Sequence, residues 1–490
     1  MTNPDSKLFR SFAWNEPAYE QSLEKLHQTL LSWNNDTPPI APFKECRNRC
    51  EQKLHQEHQE GGSGVELCRK RSEIVDWLVR ELFEFLAQKL TARRYLPGLC
   101  LIAFGGYGRK ELNPYSDIDI MFLAESHIAN SNELKEIVRK FTTALWDIGF
   151  KLGHSVRTLS QAIEQANSDL KTKTSMIECR YLHGDRKIFT EFRSLFERSC
   201  IKGKEVEYLK WRVENLRQMH EHHGGTVFVQ EPNVKCGVGG LRDYQNLFWV
   251  CYMKERVLSP SKLVELSILR EQEFLQLQKA HDFLLRVRTQ MHYSNGRPID
   301  NLTLRLQGQV ATALDYPQKN MLRRSEAFMR DYYQHTRNIH IISQTAIERL
   351  NLTPLLRRRS LLQLFRRPST GESFDGFIAK DSTLYPQNRQ IFDEDPTRLI
   401  RLFQYAQIKQ LRLSYELKDL IRQKLNIVDK TFQYARVNRE IFLSILSRKG
   451  LVGRILREMH ETEFLGRYLP EFGALTCLVQ HEFFHRYTAD

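Results

Sequence analysis

Residues 101–123, LIAFGGYGRKELNPYSDIDIMFL, constrain the fold of this chain more than any other stretch. An apolar run over residues 99–104 predicts a buried strand that stops at a glycine pair, and residues 118–123 predict its partner strand. Asp117 and Asp119 are two residues apart, so in a strand they point to the same face, with Cβ atoms about 6.5–7 Å apart. Both carboxylates can therefore reach one hard cation.

The pairing of these aspartates with Gly105 and Gly106 indicates a nucleoside triphosphate carried by magnesium. Backbone amides of a glycine turn can take phosphate oxygens, while carboxylates hold Mg²⁺. The alternative is a hairpin in which the glycines only turn the chain and the aspartates are solvated. Charged residues inside an otherwise apolar strand are costly, which favours the functional interpretation.

The string GGYGRKELNPYSDIDIMFL resembles the nucleotidyltransferase signature of the bacterial PII-protein uridylyltransferases. The resemblance implies an α+β fold with a small mixed-sheet, polymerase-β-like nucleotidyltransferase domain inside a mainly helical chain, followed by a helical bundle. It also implies transfer of UMP from UTP to a tyrosine of the PII signalling protein, with release of pyrophosphate. Asp117 and Asp119 would be the catalytic, Mg²⁺-binding pair, Gly105 and Gly106 would bind phosphates, and Arg109 and Ser116 would assist.

A third acid is not where many nucleotidyltransferases place it. The next predicted strand, residues 150–157, contains no carboxylate and instead carries His154, which we assign to substrate binding. Glu178 and Asp185 are the candidates for a third acidic contact. For both, a capping or salt-bridged helix acid is an equally open interpretation.

A second glycine-rich motif spans residues 230–245, QEPNVKCGVGGLRDYQ. A glycine-rich turn that leads into a helix can approach an anion closely, and we assign Lys235 and Arg242 to substrate binding. The string resembles the segment after the catalytic domain in uridylyltransferases and in adenylyltransferases of glutamine synthetase. Glu231 and Asp243 are further candidate contacts, and an interdomain turn fixed by glycines is the alternative.

The periodicity of the chain and the resemblance together predict five regions. They are an N-terminal helical region (1–95), the nucleotidyltransferase domain (96–200), a helical bundle (201–367), a linker with a short hairpin (368–390) and helices (391–490). The strings at 466–472 and 480–490 resemble the start of the HD hydrolase domain of the same family, whose metal ligands follow. We therefore expect a truncated HD-type domain, and assign neither His481 nor His485 as a ligand.

The composition limits the possible binding partners but does not identify one. The net charge of +14 permits binding to nucleic acid, a membrane surface or an acidic protein. The sequence contains no long apolar span and no recognisable RNA-binding motif, so we expect neither a membrane nor a nucleic-acid partner. Nine scattered cysteines without a secretory signal predict a cytoplasmic protein.

Two other functions remain open from the sequence. One is an adenylyltransferase that acts on glutamine synthetase. The other is a non-catalytic nucleotide-sensing or RNA-binding module, which the basic charge and the missing third acid favour.

Overall fold

The computed structural model describes residues 17–350 and 371–475. Its N-terminal part consists of three helices, α1 (Pro17–Leu31), α2 (Ile40–Gln59) and α3 (Gly64–Thr91). The hydroxyl of Ser63 accepts a hydrogen bond from the backbone N–H of Glu66 and so caps α3. Buried residues surround most of the α3 axis, as expected for a helix that packs on several neighbours.

A four-stranded sheet follows, with β1 (Leu99–Ala103) and β2 (Ile118–Ala124) antiparallel at its centre. The outer strands are β3 (Leu152–Arg157), which is parallel to β2, and β4 (Arg180–Gly184), which is antiparallel to β1. β4 was not predicted because its polar residues hide the alternating pattern. The helices of this region are α4 (Gly105–Gly108), α5 (Ser126–Ala129), α6 (Asn132–Ile148), α7 (Leu159–Ser168), α8 (Leu170–Ile177) and α9 (Arg186–Phe196).

The sheet separates two hydrophobic cores. Alternate residues of β2 point to opposite faces, so Ile120 and Phe122 pack with α3 and α6, whereas Met121 and Leu123 join the helices that follow the sheet. Asp119 lies on the second face. The start of β2 therefore presents a carboxylate toward the helical bundle.

The bundle is built around α11, whose residues are almost all buried. Such a helix has neighbours on every side. The helices of the bundle are α10 (Glu205–His222), α11 (Leu241–Glu255), α12 (Pro260–Glu265), α13 (Glu271–Asn295), α14 (Leu304–Ala313) and α15 (Met321–Arg349). Together with the sheet, these helices confirm the predicted α+β class.

Three strands of a second small sheet lie in the segment that was predicted as a linker with a short hairpin, residues 368–390. The strands of this sheet are β5 (Glu372–Phe374), β6 (Phe377–Lys380), β7 (Thr383–Pro386) and β8 (Arg412–Leu413). Asp375 and Gly376 both have positive φ angles, of 47° and 79°, which suits a tight hairpin. Phe377 and Leu384 are fully buried in a third core, so this segment is part of a folded unit. The polar, turn-rich sequence did not predict this folded unit, because each of its strands contributes few apolar side chains.

The rest of this unit is helical, and hydrogen bonds between side chains and backbone groups join it to the bundle. Arg337 of α15 donates to the carbonyl oxygen of His460 at 2.9 Å, and the N–H of Tyr415 donates to Glu348 at 2.8 Å. The last fifteen residues, with His481 and His485, lie outside the described residues. The α-helices of this unit are Ile391–Glu394, Arg398–Ile408, Tyr415–Gln423, Lys430–Tyr434, Arg436–Leu446, Val452–Glu461, Phe464–Tyr468 and Pro470–Leu475.

Candidate active site

A cavity of about 570 Å³ lies where the sheet meets the bundle. It is lined by the ends of β1 and β2, by α8, α10, α11 and α13, and by the second glycine-rich motif. Of the nine residues that the sequence assigned to catalysis or binding, eight line this cavity. The eight are Gly105, Gly106, Arg109, Ser116, Asp117, Asp119, Lys235 and Arg242.

Glycines flank the carboxylate of Asp119 on both sides. A Cβ atom added at Gly153 of β3 would lie 2.4 Å from Oδ1 of Asp119, and one added at Gly105 would lie 3.3 Å from Oδ2. Gly105 also has a φ of +53°, which other residues rarely adopt. Burial and the negative charge of Asp117 raise the pKa of Asp119, and Lys235 acts in the opposite direction. The carboxylate of Asp119 thus occupies space that two glycines leave free.

His154 is the predicted site residue that the structure does not bring to the cavity. In the parallel pairing of β2 with β3, Asp119 lies opposite Gly153 and Ile120 opposite His154. A side chain at position 153 would meet Asp119, so the next side chain points to the other face. The assignment of His154 to substrate binding is corrected for this reason.

The loop between α4 and β2 is anchored to α13. The amide nitrogen of Asn113 donates to the hydroxyl of Thr289 at 2.9 Å, and Arg288 donates to its amide oxygen at 2.6 Å. The carbonyl oxygen of Pro114 lies 2.6 Å from Nδ1 of His292. The Asn-Pro step of the first motif therefore fixes Ser116 and Asp117 against the bundle.

Glu178 belongs to the site as a positioning residue. Its Oε2 accepts a 2.6 Å hydrogen bond from Nη1 of Arg109, and its Oε1 accepts one from the indole nitrogen of Trp249. Burial raises the pKa of Glu178, although the charge of Arg109 opposes this effect. Because both oxygens are engaged, Glu178 orients Arg109 in this structure and is not available as a third metal ligand.

The other candidate acids serve the fold. Asp185 follows β4, beside Leu99 at the start of β1, and caps α9 through the N–H of Lys187 at 2.9 Å. Glu231 accepts a 2.8 Å bond from the N–H of Leu304. Asp243 is buried and lies 2.7 Å from Nε2 of His220. None of these three lines the cavity among the described residues.

The second motif is held tightly against α15. Gly239 has a φ of +73°, and an added Cβ would lie 2.0 Å from the carbonyl oxygen of Thr336. The side chain of Asn233 accepts hydrogen bonds from the N–H groups of Lys235 and Cys236, at 3.1 and 2.7 Å. This packing presents Lys235 and, at the start of α11, Arg242 to the cavity.

Several lining residues were missed because nothing in their local sequence distinguishes them. Asp300 lies in the loop after α13 and pairs with Arg288 at 2.7 Å and with Lys235 at 4.0 Å. Burial and the charge of Arg288 lower the pKa of Lys235, with Asp300 acting in the opposite direction. The other missed residues with polar side chains are Glu111, Lys171, Thr174, Ser175, Trp211, Arg212, Asn215, Gln245 and Trp249. Among the described residues, six cationic and five acidic side chains line the cavity, and the acidic ones include the pair Asp117 and Asp119. Cations beside a pair of carboxylates suit a polyphosphate and a divalent cation.

Comparison with known proteins shows which families this chain resembles. Three family models match: "GlnD PII-uridylyltransferase" over residues 207–347, "Uridylyltransferase GlnD third domain" over 377–468 and "Putative nucleotidyltransferase DUF294" over 48–171. The chain belongs to the GlnD-type uridylyltransferase family. The matched segments include β1 to β3, most of the bundle and strands β6 to β8 of the second sheet.

Alignments with members of this family extend over most of the chain. Proteins named bifunctional uridylyltransferase/uridylyl-removing enzyme are 33% identical over 393 residues in Cereibacter sphaeroides and 30% identical over 435 residues in Rhodospirillum rubrum. These alignments cover 80% and 88% of this chain but 42% and 46% of the relatives. The chain thus spans about half the length of the proteins that it matches. In the described part of the chain, no helix is long and apolar enough to cross a membrane.

Proposed function

We propose that the cavity between the sheet and the bundle transfers UMP from UTP to a tyrosine hydroxyl of the PII signalling protein, with release of pyrophosphate. The family models and the names of the relatives support uridylyl transfer. The observation that carries the proposal is that Asp117 and Asp119 line the same cavity as Arg109, Lys235 and Arg242. The PII partner and a cytoplasmic compartment are part of the proposal.

The donor set fits a divalent cation. Two carboxylates two residues apart provide the hard oxygen ligands that Mg²⁺ prefers. Burial and the charge of Asp117 raise the pKa of Asp119, and a positive ion held by both carboxylates would oppose these effects. Asp117 and Asp119 would hold Mg²⁺, which supplies charge neutralisation at the reacting phosphate.

The other residues bind and orient the nucleotide. The backbone N–H groups of Gly105 and Gly106 begin a helical turn, so they are not used within it and can donate to phosphate oxygens. Arg109, held by Glu178, and Lys235 place positive charge along the triphosphate. In the reaction the tyrosine oxygen bonds to the α-phosphorus, the bond to the β-phosphate oxygen breaks, and the hydroxyl proton is released. Catalysis then rests on orientation and charge more than on covalent chemistry of the protein.

The test is transfer of label from α-³²P-UTP to a purified PII protein in the presence of Mg²⁺. We expect labelled PII and an equal amount of pyrophosphate, and no label on a PII variant in which the acceptor tyrosine is Phe. Absence of both products with the wild-type chain would overturn the proposal. Parallel reactions with α-³²P-ATP and glutamine synthetase test the adenylyltransferase alternative. Label on glutamine synthetase instead of PII would establish that alternative.

A further inference from the structure

Arg212 of α10 is a buried cation that lines the cavity and has no acidic partner in the described part of the chain. Its side chain is almost entirely buried, with 4% of the residue exposed. Nε donates to Asn246 at 2.6 Å and Nη1 to Asn215 at 3.1 Å, and both acceptors are neutral amides. Nη2 is buried and has no hydrogen-bond partner within residues 17–350 and 371–475. No described carboxylate lies within 4.0 Å of this guanidinium.

A second arginine shares the same aromatic ring. The guanidinium carbon of Arg212 lies 4.4 Å from the ring centre of Trp249, and that of Arg242 lies 5.3 Å from it. Burial lowers the pKa of Arg212 to about 10, and the charge of Arg242 contributes to this decrease. Burial also lowers the pKa of Arg242. Two cations on one ring repel each other and lose hydration, so the empty protein holds them at a cost in free energy.

A multiply charged anion would remove this cost. The planar fork of an arginine matches the oxygens of a phosphate group, and its remaining N–H donors pair best with an ionised acceptor. A uracil ring offers neutral carbonyl oxygens, which leave the two positive charges uncompensated. The chemistry of the pair therefore points to the phosphates of the substrate and away from its base.

We infer that Arg212 binds the terminal phosphates of the nucleotide, the part that leaves as pyrophosphate, through its unpaired Nη2. This inference rests on the proposed function, since it names the contact by which that cavity holds its substrate. Arg212 is then a binding residue that is contributed by the bundle. The triphosphate lies between it and the glycine turn of the sheet.

The test is calorimetric titration of the whole chain with Mg²⁺-pyrophosphate and with Mg²⁺-UTP. We expect Arg212→Gln to weaken binding of both ligands by the same factor, at least about tenfold, because each loses a charge-assisted hydrogen bond. Arg217→Gln is the matched control. Arg217 lies on the same helix, is exposed and pairs with Glu214 at 2.7 Å. The Arg217→Gln variant is therefore expected to bind pyrophosphate and UTP with affinities within about twofold of wild type.

A second variant keeps the test decisive if Arg212→Gln fails to fold. Arg212→Lys retains the charge but not the fork, and we expect it to bind pyrophosphate more weakly than wild type and more tightly than any folded neutral variant. Wild-type affinity for pyrophosphate in a folded Arg212 variant would overturn the inference. So would a loss confined to UTP, which would place Arg212 at the base or ribose, or absence of pyrophosphate binding by the wild type. Pyrophosphate binding does not depend on transfer to PII, so a failure of the proposed function would be seen separately.

Discussion

Nη1 of Arg109 and Oε2 of Glu178, 69 residues apart in the chain, lie 2.6 Å from each other beneath the cavity. This ion pair joins the first motif to the start of β4. Through the other oxygen of Glu178 it also reaches Trp249 of the bundle. Glu178 thus fixes the position of a predicted phosphate-binding arginine relative to both halves of the site, together with Glu111, whose Oε2 accepts a 2.7 Å hydrogen bond from Nε of the same arginine.

Replacing Glu178 by Gln is expected to lower the rate of UMP transfer roughly tenfold, because a neutral acceptor holds Arg109 less firmly. Steady-state kinetics that separate kcat from KM would measure the effect. Glu136→Gln, which breaks an exposed ion pair of 2.7 Å with Arg139, is the control and should leave both constants unchanged. Equal kinetics of the two variants would contradict the positioning role of Glu178.

Asp117→Asn and Asp119→Asn are each expected to lower transfer by at least about a thousandfold. A lost metal ligand removes several kcal/mol of transition-state stabilisation. The folded state should not suffer, because Asp119 is partly desolvated and repelled by Asp117. We therefore expect an unfolding temperature equal to or above that of the wild type, measured by calorimetry. Near-wild-type turnover in either variant would show that the two-aspartate site is wrong.

Gly153→Ala is expected to lower transfer by about a hundredfold with little change in stability. The new methyl group would lie 2.4 Å from Oδ1 of Asp119, so the carboxylate must move away, and a shift of about 1 Å can cost that much in rate. His154→Ala is the matched control. It alters the adjacent residue, which points to the other face, and its turnover should stay within about twofold of wild type.

His58 is expected to make the stability of the chain depend on pH between neutral and mildly acidic conditions. Burial lowers the pKa of His58 to about 4, and its Nε2 lies 2.9 Å from the amide oxygen of Gln290. In the unfolded chain the pKa is about 6.5, so below that value the unfolded state binds more protons. The stability that the neutral ring provides is complete above pH 6.5 and is lost as the pH falls toward 4.

Between pH 7 and pH 5 this effect corresponds to about 2 kcal/mol in the free energy of unfolding. Urea unfolding at both pH values would measure it, and His58→Gln should reduce the pH dependence by about 2 kcal/mol. Burial also lowers the pKa of His183 and that of His335 to about 4, so part of the dependence should remain in this variant. His222→Gln, which changes an exposed histidine of α10, should retain it. The same pH dependence in wild type and His58→Gln would assign the effect to other groups.

The sequence predicted the two central strands because their pattern is local, although Asp117 lies one residue before β2 begins. Period-two alternation and glycine spacing act over a few residues, and the boundaries of β1 and β2 differ from the prediction by one residue at most. His154 was misplaced because the face that it occupies depends on the pairing of β3 with β2. Arg212 and Asp300 were missed because only the packing of α10 and α13 brings them to the cavity, and no pattern in their own segments records this.

The alternation of β1 has a consequence for how this chain folds. Leu99 and Leu101 belong to the core shared with α3, whereas Cys100 and Ile102 belong to the core that extends through α11 and α13. Leu99 and Leu101 therefore depend on α3, which precedes residue 96. The second core runs from α7 and α9, which pack on the sheet, into α8 and α11, which pack on each other. A piece that ends near residue 200 would keep α9 on β1 but would uncover Met176 and Ile177 of α8, and would tend to aggregate instead of binding nucleotide.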